Sequence, residues 1–271
     1  MSTWLIPMLF EWNWLVLLVL AGLSFGILSP VISGRRMMFL AAAMPHSALL
    51  SAVLGIPLSI LYGLSPSEWA IIIGTPLPLF IYILERKGVS EDIATSVYVA
   101  ATASLSVALI YYVLTNYPLQ TSLWSYILGD PLLSTWSDVL LAGFITLLLL
   151  VLLTPFLREQ ILLGVDRDFA VSTGIRAELY DIVFLLLLSL SSIGFMRTVG
   201  YVLEHVLILL PSSLALLVSR SGRQVVLYSV TAAVTSAVIG LLVGVSLNLQ
   251  VSASVGLVLL TGYIIAIAAK R

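Results

Sequence analysis

The sequence predicts an all-α fold, a polytopic transmembrane helical bundle of 8–9 spans, and three observations carry the prediction. Of 271 residues, 61% are hydrophobic and only 9% charged, where a soluble domain has about 25% charged residues. Polar groups cannot cover such a chain in water, and the mean hydropathy of +1.15 agrees. The few charges fall in small clusters that cut the chain into apolar pieces of about 20 residues, the length a helix needs to cross a bilayer core. Runs such as Val183 to Leu190 are apolar on every face and do not alternate with polar residues, which excludes a transmembrane barrel.

The segments follow in order, near 13–32, 38–62, 69–84, 93–114, 138–157, 180–196, 200–218, 225–246 and 253–268. The first reads as a retained span and not a cleaved leader, because no basic residue precedes it and Arg35-Arg36 follows it. The second and eighth carry small residues at helical spacing, Ala41-Ala42-Ala43, Ser47-Ala48, Ser51-Ala52, Ala232-Ala233 and Ser236-Ala237. Small side chains let helices approach closely in lipid, within one chain or against a partner. Pro45, Pro57, Pro76, Pro78 and Pro211 stand inside spans, where each frees a carbonyl that a neighbour or a cavity must satisfy. The stretch 119–136 has the length of a short helix dipping back into the membrane. The segment 200–218 holds Glu204, His205 and Pro211; counting it gives nine spans, and omitting it gives eight.

With the N-terminus outside, every basic residue except Arg197 lies on the inner side: Arg35, Arg36, Arg86, Lys87, Arg158, Arg167, Arg176, Arg220, Arg223, Lys270 and Arg271. The positive-inside bias therefore predicts N-out and C-in. Without repeats, low-complexity tracts or long polar stretches, residues 1–271 read as a single transmembrane domain. A formal net charge of −1 and the lack of a basic run exclude nucleic acid as the main partner. With no cysteine, disulfides and thiolate metal sites are impossible, so any metal must use His, carboxylate, Met or hydroxyl oxygen.

Ionisable groups at bilayer depth are costly and mark function by default. His46 lies ten residues past Arg36, about 15 Å along a helix. Glu204 and His205 lie seven and eight residues past Arg197, and the protein has only two histidines. Two histidines and a carboxylate suit a divalent first-row metal or a proton relay; each also suits plain hydrogen bonding between helices. Neighbours in sequence diverge by about 100° on a helix, so at most one of Glu204 and His205 aims at a given point. Glu68, Glu91, Asp92, Asp138 and Glu178 flank spans and read as caps or solvated ends. Asp130 stands in an outer segment where it would meet an incoming ligand. In the inner loop 158–179, Asp166 can cap a short helix carrying Phe169, Ala170 and Val171 that stops at Gly174, either a docking surface or a connector on the membrane interface.

Four segments in this order resemble the membrane permease of ABC importers for zinc, manganese or iron. They are Gly34-Arg35-Arg36-Met37-Met38-Phe39 with the following helix and His46; Tyr126 to Leu133; Asp166 to Asp181; and Arg197-Thr-Val-Gly200 through Leu210-Pro211-Ser212. The resemblance covers nearly the whole chain. It implies a homodimeric permease in a prokaryotic plasma membrane, bedded in lipid, with no permanently bound cofactor and a divalent metal ion as substrate. Its partners would be an extracytoplasmic substrate-binding protein and cytoplasmic ATPase subunits, docked on a coupling loop that here includes Asp166, Asp168, Phe169 and Gly174. ATP would be used by the partner, since no Gly-x-x-x-x-Gly-Lys-[Ser/Thr] occurs in the chain. The chain itself would be no enzyme, and no His-Glu-x-x-His motif argues otherwise.

The chain departs from the family where an Asp usually stands four residues before the helix histidine: here that residue is Ala42. The family's Pro-Ala-Ala-Thr run is Pro211-Ser212-Ser213-Leu214, and Glu204-His205 occupy a usually uncharged approach to it. The expectation is that Glu204 or His205 replaces the missing carboxylate beside His46. The competing function is a proton- or ion-coupled secondary transporter with Glu204 and His205 as its relay.

Overall fold

The computed structural model describes residues 11–117 and 129–269. Tyr126 to Leu128, most of the stretch with the length to dip back into the membrane, and the terminal Lys270-Arg271 lie outside the described residues. Within them the chain is helical: α1 Trp12–Gly34, α2 Met38–Tyr62, α3 Pro66–Gly74, α4 Leu79–Arg86, α5 Glu91–Asn116, α6 Trp136–Leu152, α7 Leu157–Val165, α8 Arg167–Ser172, α9 Ala177–Val218, α10 Gly222–Leu247 and α11 Val251–Ala269. No strand occurs among the described residues. By length and composition eight helical stretches among the described residues are able to cross a membrane: α1, α2, Pro66–Arg86, α5, Trp136–Val165, α9, α10 and α11.

Local chemistry sets where they begin and break. Ser65 and Glu68 form a reciprocal cap at the start of α3, with Pro66 at the first helical position. The third stretch breaks between α3 and α4, at Pro76 and Pro78, because proline has no N–H to give the ladder. The fifth runs past its expected end at 157: a 3-10 turn, Thr154–Phe156, forms at Pro155, and the chain continues as α7. The inner loop read as 158–179 is therefore mostly two short helices, α7 and α8.

The stretch α9 is 42 residues long, about 63 Å if straight, and it is not straight. At Gly200 the backbone takes φ 81° and ψ 159°, a region open to glycine alone. The contacts on α1 show that the chain doubles back there. Phe25 packs on Phe195 with ring centroids 5.5 Å apart, and Ser29, one turn on, bonds Ser212 at 2.9 Å. Four residues of α1 thus span what would be about 25 Å of a continuous helix. The expected segments 180–196 and 200–218 are the two arms of this hairpin, 177–199 and 201–218. Counted as crossings, the arms reconcile nine segments with eight continuous helices. Gly129 seats the outer segment on the turn, since a Cβ there would lie 2.3 Å from the Val199 carbonyl, and Ser252 Oγ donates to that carbonyl at 3.0 Å.

The core lies where α1, α2, α9 and α10 meet, around Leu17, Phe25, Leu28, Met44, Phe184 and Phe195. The small-residue stripes serve packing inside this chain. Ala41, Ala43, Ala48, Ala233 and Ala237 are buried, and a Cβ on Gly26 would stand 2.8 Å from the Val230 backbone. Ser24 and Thr146 add a polar pair between α1 and α6 at 2.9 Å, the kind of bond worth about 0.6 kcal/mol in a membrane interior.

Candidate functional site

The hairpin turn brings one face of its second arm against α2. His46, two turns into α2, shares a hydrogen bond of 3.1 Å between its Nε2 and the Tyr201 hydroxyl. One turn further on, His205 Nδ1 lies 2.8 Å from the Tyr201 carbonyl. A carbonyl only accepts, so Nδ1 carries the proton and Nε2 keeps its lone pair for another partner. The three rings meet edge-on, with centroids 4.5 Å apart for Tyr201–His205, 5.3 Å for His46–Tyr201 and 6.1 Å for His46–His205. All three are half-buried.

Glu204 points elsewhere. It is fully buried, and its Oε1 accepts a hydrogen bond from the Ser192 hydroxyl on the first arm, while Oε2 has no partner among the described residues. Of the two adjacent candidates the structure brings His205 to His46 and turns Glu204 into the hairpin, the angular divergence that sequence neighbours on a helix require. Ala42, one turn before His46, adds no carboxylate. Among the described residues no group of three or more His, Cys, Asp or Glu side chains is placed to hold a metal ion. Imidazole nitrogen and phenol oxygen can bind a divalent ion weakly and release it, which suits passage rather than storage. Tyr201 is the member that sequence reading missed; its signal was a polar-tipped ring four residues before His205, on the same helix face.

At the inner end, Asp166 Oδ1 accepts from the Phe169 N–H at 2.9 Å and caps α8. Phe169 is 55% exposed and Val171 52%, whereas Ala170 is buried against Leu163 and Ala177. Asp168 is exposed in the first turn, and Gly174, at φ 92°, stops the helix in the left-handed region. The helix thus presents an apolar, acid-edged face away from the bundle. Arg167 turns inward, its Nη2 donating to Asp181 at 2.6 Å, and this bond holds the guanidinium pKa above its ordinary value.

At the outer end, Asp130 Oδ1 accepts from the Leu132 N–H at 3.1 Å and caps the turn Pro131–Leu133. Asp138 likewise accepts from the Thr135 N–H at 2.8 Å and lies 3.5 Å from Arg197.

The sequence model of the family described as ABC 3 transport family matches residues 8–270. The manganese import system permease protein ScaB of Streptococcus gordonii is 25% identical over 244 residues, covering 90% of this chain and 85% of ScaB. The manganese transport system membrane protein MntC of Halalkalibacterium halodurans is 27% identical over 249 residues, covering 92% of this chain and 83% of MntC. In solved structures, a chain of PsaBC from Streptococcus pneumoniae in complex with Fab shares the fold, with a TM-score of 0.80 at 24% identity over 94% of this chain and 89% of that one.

Proposed function

The chain belongs to the ABC 3 transport family, and from that membership we propose that it is the permease subunit of an ATP-driven importer of a divalent metal ion of the manganese, zinc or iron class. The observation that carries the reading is the His46–Tyr201–His205 cluster, held between α2 and the α9 hairpin. The family match spans nearly the whole chain, and the relatives ScaB and MntC are a manganese import system permease protein and a manganese transport system membrane protein. The family match also weighs against an ion-coupled transporter.

In this reading two copies form the pathway, with the N-terminus outside and the C-terminus inside. An extracytoplasmic binding protein delivers the metal near the outer segment that includes Asp130. The ion passes the histidine pair, where imidazole nitrogens replace part of its water shell, and leaves on the cytoplasmic side. ATPase subunits dock on the exposed face of α8 that carries Asp168 and Phe169, between the Asp166 cap and the Gly174 stop, and their closure alternates access between the two faces. Glu204 supports the cluster from behind by fixing the two hairpin arms together.

The test is uptake into proteoliposomes holding the chain, its ATPase and its binding protein, with manganese, zinc and iron supplied in turn. ATP-dependent accumulation of at least one metal, lost in His46→Ala, supports the reading. Accumulation driven by a proton gradient without ATP overturns it.

A further inference from the structure

The Asp181 carboxylate links α8 to the two helices that carry the histidines. Asp181, in the first turns of α9, is nearly buried and accepts from two arginines, Arg35 on Oδ1 and Arg167 on Oδ2, the latter at 2.6 Å. Arg35 sits at the corner where α1 passes into α2. Its side chain is only 5% exposed, its Nη1 donates to Gln160 of α7 at 2.9 Å, and its guanidinium lies over the Phe184 ring, 5.4 Å from the centroid. Arg167 is the first residue of α8, and its side chain is 49% exposed.

The two arms differ in kind. Separating Arg35 from Asp181 would leave a buried charge without its counter-ion, so that arm stays closed. The half-exposed arm to Arg167 opens at lower cost, because water can take over the Arg167 end while Arg35 goes on neutralising Asp181. It also borders a cavity of about 410 Å³ lined by Glu85 and Glu91, which offers the guanidinium room and further carboxylates when α8 shifts. On its apolar side α8 meets the bundle through Ala170, packed with Leu163 and Ala177.

We propose that Asp181 is a positioning residue for transport: through Arg167 it ties α8, and through Arg35 the α1–α2 corner, to the base of α9. A displacement of α8 then moves the helix bearing His46 and the hairpin bearing Tyr201 and His205 from one shared point. The proposal rests on the permease reading. Arg35 is the fixed link and Arg167 the releasable one.

The test uses the full complex with its ATPase and the substitution Arg167→Gln, which leaves the buried pair intact. Expected is ATP hydrolysis and ATPase retention within about twofold of wild type, with metal moved per ATP hydrolysed reduced about tenfold, the size of a typical coupling free energy. Arg167→Lys should recover part of the ratio. An unchanged ratio overturns the proposal, and so does transport that falls only in step with lost ATPase binding. A second measurement needs no ATPase: hydrogen exchange of the purified chain carrying Asp181→Asn. Faster exchange over 167–172 and 38–46 together supports the tie, and a change confined to 167–172 overturns it. A wild-type complex that moves no metal with ATP would sink the permease reading, and the exchange result would still decide the tie.

Discussion

Ser192 and Glu204 are twelve residues apart on what reads as one helical stretch, yet their side chains are hydrogen-bonded inside the bundle. A continuous helix would set them about 18 Å apart. Their contact is the chemical lock on the hairpin, and the histidine cluster depends on it, because Tyr201 and His205 ride on the second arm. Glu204→Ala removes the partner of a buried hydroxyl and leaves a void, so it should destabilise by about 2–4 kcal/mol. Glu204→Gln keeps the shape and an acceptor and should cost about 1 kcal/mol or less. Thermal unfolding of both variants in the same detergent checks the order; equal midpoints would show that the lock carries no weight.

The turn itself gives a second prediction. Gly200 holds φ 81° with ψ 159°, backbone angles that residues with a Cβ rarely adopt. Gly200→Ala should therefore cost about 1–3 kcal/mol in strain. It should also pull Tyr201 away from His46, so uptake should fall more than the loss of folded protein explains. Normalising uptake to the folded fraction separates the two effects.

Within the cluster the members should differ. Tyr201→Phe deletes only the hydroxyl that meets His46, from a half-buried place, and should change the unfolding free energy by about 1 kcal/mol. His46→Ala and His205→Ala each remove a nitrogen available to the metal and should raise the half-saturating metal concentration at least tenfold, about 1.4 kcal/mol. Metal-dependent uptake curves check this. Normal transport by both Glu204→Ala and His205→Ala would end the idea that either residue replaces a carboxylate at Ala42.

Much of this was legible in the sequence, for physical reasons. Bilayer solvent forces apolar length, so span positions follow from where charges fall, and Asp166 capping α8 follows from side-chain chemistry within four residues. The hairpin was legible only as two segments. Arg197 marked the division, whereas the reversal sits at Gly200, whose backbone angles no composition encodes. The facing of Glu204 depends on helix rotation set by α1 and α2, long-range packing that a local pattern does not contain. The Arg35–Asp181–Arg167 node joins residues up to 146 positions apart, and nothing in their spacing announces it.

Helix α8, proposed above to dock the ATPase, yields the last prediction. Phe169 is 55% exposed while its neighbour Ala170 is buried, so the two report different things when changed. Phe169→Ala removes an exposed aromatic anchor and leaves the bundle untouched. It should lower retention of the ATPase by about tenfold or more, as loss of a central aromatic contact does at other interfaces. Its unfolding midpoint should match wild type, because little buried area is lost. Ala170→Asp should instead push a charge against Leu163 and Ala177, detach α8 and lower both the midpoint and ATPase retention. Pull-down against a tagged ATPase, beside thermal unfolding of the chain alone, distinguishes the two. If Phe169→Ala retained the ATPase fully, the docking face would have to lie off this helix, and the apolar groove between α7 and the start of α10, lined by Leu162, Val165, Arg158 and Arg223, would be the next surface to test.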